Sequence, residues 1–384
     1  MCWSRPGENK HAALKLGARE GIRAFAPGVV REMSTAGSET KHPVLDGLRA
    51  ISILLVLACH LLPLGPKALR LNDVAGAMGM SLFFALSGFL ITSGLIKNTN
   101  VQDFIERRLA RILPLVYAYT MVVFLVFSFS PEALIWTNLF TVNYLSQYLD
   151  PGWTSHLWSL CVEIHFYLVI ALVVLLFGQN GLWIVWPACL VITLMRISTG
   201  TYISIVTHLR VDEILAGACA AMAFAYLEGR RPSSANPRLL AAALGFAALL
   251  WAVCSYPLSE WLQYARPYAS ALLLFASLKY GAANPETILG SRPVRYIATI
   301  SYALYVIHPA TAHGWMSEGG AVTKYLLKRP MSFALTFLMA HLSTFYWERP
   351  WQIAVKRRVQ KRRQLSLVKV VGSTNLPCAG GSAG

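Results

Sequence analysis

Long apolar runs constrain this chain more than any other feature. Ten stretches approach the roughly 20 residues that a helix needs to cross a hydrocarbon core about 30 Å thick. They lie at 44–64, 77–96, 112–130, 157–177, 181–198, 211–228, 238–256, 264–281, 297–315 and 331–348. A segment in lipid must satisfy its backbone hydrogen bonds internally, so helices are the expected elements. The predicted fold class is all-α, a polytopic membrane protein with about ten transmembrane helices. Composition agrees, with 14% charged and 55% hydrophobic residues where soluble domains carry about 25% charged. A cytosolic globular enzyme and a disordered chain are poor fits to that balance.

The basic residues report topology. Lys and Arg number 34 against 18 Asp and Glu, but they fall between apolar runs and at the ends instead of on one surface, so nucleic acid is not an expected partner. With both termini inside, 25 Lys and Arg fall in inner segments and 8 in outer loops. That bias predicts two cytoplasmic termini. The run KRRVQKRRQ at 356–364 is expected to hold the inner leaflet, each basic residue contributing about 1 kcal/mol near anionic lipid. Three regions follow: a basic, disordered extension at 1–43, a membrane domain at 44–350 and a basic cytoplasmic tail at 351–384. The extension lacks a secretory apolar core, and Met33 offers a shorter start. Cys59, Cys161, Cys189, Cys219 and Cys254 lie in apolar runs, while Cys2 and Cys378 lie in polar ends without metal-ligand spacing. No disulfide and no metal are expected, and no internal repeat is apparent.

Ionisable groups inside spans are costly and mark functional sites by default. In LDGLRAISILLVLACH, Arg49 and His60 are eleven residues apart, which puts them on one helix face about 16 Å apart along the axis. Asp46 can pair with Arg49. In HLWSLCVEIHFYL, Ser159 and Glu163 share a face with His156 and Tyr167, while His165 points away. Glu163 either orients a histidine base or serves helix packing. FIERRLARILP sets Arg108 and Arg111 three residues apart, a patch suited to phosphate and equally accounted for by positive-inside topology. Ser87 and Gly88 in MSLFFALSGFLI permit close approach of a ligand or another helix. Arg210 and Glu213 form an i,i+3 pair, and ISYALYVIHP carries Ser301, Tyr302, Tyr305 and His308 before Pro309.

In this order the motifs resemble acyltransferase family 3, integral membrane enzymes that include O-antigen, exopolysaccharide and nodulation-factor acetyltransferases. The resemblance covers about residues 42–350 and closes on ERP at 348–350. It implies an O-acyltransferase moving an acyl group, most often acetyl, from acyl-CoA to a sugar hydroxyl of a glycan, a lipid-linked saccharide or a glycosylated metabolite. Under it, His60 is the catalytic base, with Arg49 and Glu163 beside it. Arg108, Arg111, Ser87 and Gly88 fall to the donor. Glu213 and His308 match further motif positions and are assigned to the acceptor. Trp136 and Trp153, in the cation-free loop 131–156, are expected either to stack on the sugar or to form an interfacial belt. The chemistry fits: a sugar hydroxyl needs a base to attack a thioester, and imidazole titrates in the right range. Direct attack and an acyl-enzyme on a residue such as His60 both remain open. No cofactor is expected to be permanently bound; acyl-CoA, a carbohydrate acceptor and the bilayer are the expected partners. The expected location is the plasma membrane, the inner membrane in a bacterium. A secondary transporter or exporter of a glycan or small molecule is the rival reading.

Overall fold

The computed structural model describes residues 43–127, 130–150, 152–228, 236–283 and 288–374. The expectations for the N-terminal extension, Met33, Cys2, Cys378 and the last ten residues lie outside that range. Among the described residues there is no strand. The helices are α1 (Pro43–Leu61), α2 (Leu71–Lys97), α3 (Val101–Phe127), α4 (Pro131–Asn138), α5 (Trp158–Phe177) and α6 (Val185–Ser198). They continue with α7 (Asp212–Glu228), α8 (Pro237–Ser255), α9 (Arg266–Ala283), α10 (Arg292–Ala312), α11 (Arg329–Leu342) and α12 (Arg349–Thr374).

Each predicted stretch falls on helix, with shifted ends. The polar sequences LNDVAG and VQDFIERRL continue α2 and α3 beyond their apolar centres. Loop 131–156 is not featureless, since it holds α4 and three short 3-10 turns. Wide turns at Thr323–Lys328 and Ser343–Glu348 bracket α11 and lead into α12 without a break. Among the described residues, five segments are long and apolar enough to cross a membrane: Pro43–Leu61, Lys67–Lys97, Val101–Val126, Ser155–Ser198 and Pro237–Ser255. Leu168, Val169, Leu172 and Leu175 of α5, with Leu239, Phe246 and Leu249 of α8, stand exposed. In lipid such residues face acyl chains.

Small residues set the closest helix crossing. A Cβ added at Gly88 of α2 would lie 1.8 Å from the Ile214 carbonyl oxygen, and one at Gly217 of α7 would lie 2.0 Å from that of Ala85. The two backbones therefore touch without side chains between them. Beside this crossing lies a sealed ionic cluster. Arg196 pairs with Asp212 (2.5 Å), and Glu213 takes both Arg266 (2.8 Å) and Arg210 (3.2 Å), joining α6, α7 and α9. At the other end, α12 lies along α3, with Val359 buried, Arg362 on Glu106 (2.6 Å) and Arg363 on Asp103 (2.8 Å).

Candidate active site

Three helices each send side chains to two levels of the bundle. The first level is a cavity where Arg49 of α1, Arg108 and Arg111 of α3, and Ser87 of α2 meet Glu163 and Tyr167 of α5. Ser301 and Tyr302 of α10 close it. Glu163 is buried, and its Oε1 accepts from Ser87 Oγ (2.6 Å) and Tyr167 Oη (2.5 Å). Arg49 leans on Asp46 at 3.6 Å, and Arg108 lies over the Phe104 and Tyr167 rings at 5.8 and 5.7 Å. Glu348, buried behind the cavity, is within electrostatic reach of Arg111. Asp46 and Glu348 face two of the arginines from outside the lining, but the cavity itself presents three accessible guanidiniums and one carboxylate, which suits an anion.

The second level holds three histidines from the same helices or their approaches. The His60 and His308 rings lie 5.0 Å apart, and His308 and His156 5.4 Å. His60 is exposed at the mouth, whereas His308 and His156 are buried. Each ring uses one nitrogen on a backbone carbonyl. His60 Nδ1 reaches Val56 O (2.9 Å), His308 Nδ1 reaches Tyr305 O (2.7 Å), and His156 Nε2 reaches Val306 O (3.1 Å). A carbonyl only accepts, so these nitrogens carry the protons and the opposite ones keep lone pairs. Pro309 explains one bond: it lacks the N–H that would meet Tyr305 O, and the His308 side chain takes that place. Asn72 steadies His60 from α2 by donating to the carbonyls of Cys59 and Leu62, both at 2.7 Å. Such bonds satisfy the open end of α1.

Between the levels, Phe83 and Tyr305 stack at 5.9 Å and 11°. Phe83 lines the arginine pocket, while Tyr305 touches both buried histidines. Thus the structure brings Arg49, Arg108, Arg111, Ser87 and Glu163 together, and His60 with His308, but at two levels, an arginine cavity and a histidine cluster.

Several expected placements differ. Glu163 meets hydroxyls in the arginine pocket and no histidine, because His156 lies about 10 Å further along the α5 axis. Gly88 faces α7, where backbone fills the space a donor would need. Glu213 is consumed by two arginines in the sealed cluster and faces no acceptor space. Trp153 reaches the histidine level, its ring 6.0 Å from His313 and its carbonyl bonded to Tyr119 (2.7 Å). Trp136 packs half-buried on the apolar core from α4. His165 turns away to Thr207 Oγ1 (2.7 Å). His156 and Glu348 were not assigned roles from sequence; the helical spacing to Glu163 and the ERP motif were their signals. No group of His, Cys, Asp or Glu suited to a metal occurs among the described residues.

Residues 42–346 match a family model described as an acyltransferase domain. The chain is 26% identical over 357 residues to the peptidoglycan O-acetyltransferase OatA of Listeria monocytogenes, covering 80% of this chain and 55% of the relative. It is also 26% identical over 388 residues to the putative peptidoglycan O-acetyltransferase YrhL of Bacillus subtilis, covering 87% and 58%. A shorter match, 34% over 157 residues, joins it to the O-acetyltransferase OatA of Staphylococcus aureus, covering 34% of this chain and 24% of the relative. The chain thus spans a little over half the length of the first two relatives. No solved structure matches it. With the family model covering most of its length, on the helices that carry the arginine cavity and the histidine cluster, the chain belongs to acyltransferase family 3.

Proposed function

We propose that this protein is a membrane O-acyltransferase that takes acetyl from acetyl-CoA on the cytoplasmic side and gives it to a sugar hydroxyl of a cell-surface glycan. Peptidoglycan, for which two relatives are named, is the first acceptor to test. The carrying observation is the stacking of an arginine pocket and a histidine cluster along α1, α5 and α10, separated by the Phe83 and Tyr305 rings. An anionic donor suits the arginine cavity, and a hydroxyl that must lose a proton suits the histidine cluster.

In this reading ten helices span the bilayer with both termini cytoplasmic. Burial sharpens the charge bias. Of the cations assigned to outer loops, Arg196, Arg210, Arg266, Lys328 and Arg329 are buried within the bundle, whereas Lys356, Arg357 and Arg358 of α12 stand exposed. The outer surface is thereby poorer still in positive charge than the sequence count suggests.

Arg108, Arg111 and Arg49 hold the phosphates and polar portion of the donor, whose long thioester arm runs toward His60. His60 Nε2, left basic by the Nδ1 bond to Val56, takes the proton as the sugar oxygen attacks the thioester carbonyl. The C–S bond breaks, and the departing thiolate receives that proton as CoA thiol. Base assistance of this kind typically contributes 10²–10⁴-fold. Mass spectrometry of surface glycans and secreted glycolipids tests the reading in cells with wild-type protein, no protein or His60→Ala at equal membrane abundance. An acetyl mass present only with wild type is expected. Equal acylation in all three, with a glycan changed in amount or location, would replace the enzyme by a transporter.

A further inference from the structure

Resting on the acyltransferase reading above, we infer that His156 and His308 form, with His60, an acceptor-only cup that binds the sugar through hydroxyl groups neighbouring the one that is acylated.

The cup is defined by what its polar atoms have left to offer. The ring protons of His60, His308 and His156 go to the carbonyls of Val56, Tyr305 and Val306. The nearby hydroxyls are spent in the same way. Tyr305 donates to the His156 carbonyl (2.5 Å) and accepts from Ser159 (2.5 Å), Tyr119 donates to Trp153, and Thr311 donates to the His308 carbonyl (3.0 Å). Three lone pairs remain, on His60 Nε2, His308 Nε2 and His156 Nδ1. His156 Nδ1 is buried and has no partner in the protein.

A buried acceptor without a donor costs about 1–3 kcal/mol, so His156 Nδ1, next to two further imidazole lone pairs, calls for a ligand rich in O–H. A metal is the other group that three imidazoles attract, but the rings are not arranged to hold one. A hydroxyl-rich ring matches the imidazole spacing, with rings 5.0 and 5.4 Å apart: one hydroxyl would meet the exposed His60, and its neighbours would donate inward to His308 and His156. Trp153, beside His313 at the same level, adds an apolar wall. His60 deprotonates, while His308 and His156 decide which polyol presents a hydroxyl to it.

The test uses full-length protein in proteoliposomes, acetyl-CoA, and an N-acetylhexosamine disaccharide with its analogue lacking the hydroxyl next to the acylated one. His156→Phe and His308→Phe keep an aromatic ring and remove the lone pairs. Each is expected to raise the disaccharide KM about tenfold, the size of one lost hydrogen bond, with the acetyl-CoA KM unchanged. Asn at 156 puts its amide oxygen near the Nδ1 position, and Gln at 308 puts its own near Nε2. Both should recover most of the affinity. Should the Phe variants fail to fold, wild type alone decides, because the deoxy analogue should bind about tenfold more weakly. Unchanged acceptor KM in the variants, or equal use of both sugars by wild type, overturns the cup while leaving acyl transfer standing. Wild type that acylates no sugar overturns both.

Discussion

Two groups of three arginines divide the polar interior of this protein, and they are opposites. Arg196, Arg210 and Arg266 are almost wholly buried, share Asp212 and Glu213, and sit against aromatic rings: Tyr264 for Arg196, Phe84 and Trp158 for Arg210. Arg49, Arg108 and Arg111 are part-exposed and line a cavity whose one carboxylate, Glu163, spends an oxygen on two hydroxyls. In the first group two carboxylates are ion-paired to three arginines and sealed from solvent, which fastens helices together. In the second the guanidiniums are accessible from a cavity and Glu163 is in no ion pair, which suits a diffusible anion. Both groups come from sequence motifs of similar appearance, so the presence of arginine beside an acid does not distinguish cement from binding site. Access does.

The sharpest way to break that contrast is Glu213→Gln. The substitution keeps volume but leaves Arg210 and Arg266 without their shared carboxylate, and breaking a buried pair costs about 3–5 kcal/mol. Much-reduced folded yield and a strongly lowered melting temperature in detergent are expected. Glu163→Gln, which breaks no ion pair, should melt close to wild type. Equal melting of the two variants would erase the distinction.

Next in size is Gly88→Ala. Its Cβ would collide with the Ile214 backbone, and overpacking of this kind costs about 1–3 kcal/mol. Melting temperature should fall while the acetyl-CoA KM of the folded fraction stays unchanged. A raised KM at unchanged melting would return Gly88 to the donor site.

These cases show what was legible beforehand. The helices were, because a bilayer demands internally bonded backbone and every predicted stretch falls on helix, while five segments among the described residues are long and apolar enough to cross. The Arg49 and His60 pairing was legible as a shared face, but a face is not a site: eleven residues of helix carry the two about 16 Å apart, one to the arginine cavity and the other to the histidine cluster. Gly88 was ambiguous in principle, since a missing side chain invites a ligand and a neighbouring helix equally. Glu213 could not be placed because its second partner, Arg266, lies 53 positions away. His156 was legible on the Glu163 face but not as part of a histidine cluster, because it lies in the turn before α5 and its ring neighbours come from α3 and α10.

Arg108→Ala probes the open group directly. Removing one guanidinium from a pocket that keeps two others should raise the acetyl-CoA KM about tenfold, the scale of one charge-assisted hydrogen bond. Melting temperature and acceptor KM should hold. A fall in kcat with unchanged donor KM would move Arg108 from binding the donor to stabilising the transition state.

The smallest expected effect is at the rim, where Arg362 of α12 meets Glu106, two residues before Arg108 on α3. This pair looks as well made as those in the sealed cluster, at 2.6 Å against 2.5 Å for Arg196 and Asp212. Its surroundings differ: Arg362 is 29% exposed and Glu106 23%, against 1% and 0% for the buried pair. Water and ions screen an exposed pair, and Arg363 on Asp103 still ties α12 to α3. Arg362→Ala should therefore leave melting temperature unchanged at high salt and nearly so at low salt, with the donor KM as in wild type. A donor KM displaced as far as in Arg108→Ala would show that α12 shapes the arginine pocket, and that the open group extends from the membrane domain into the basic tail.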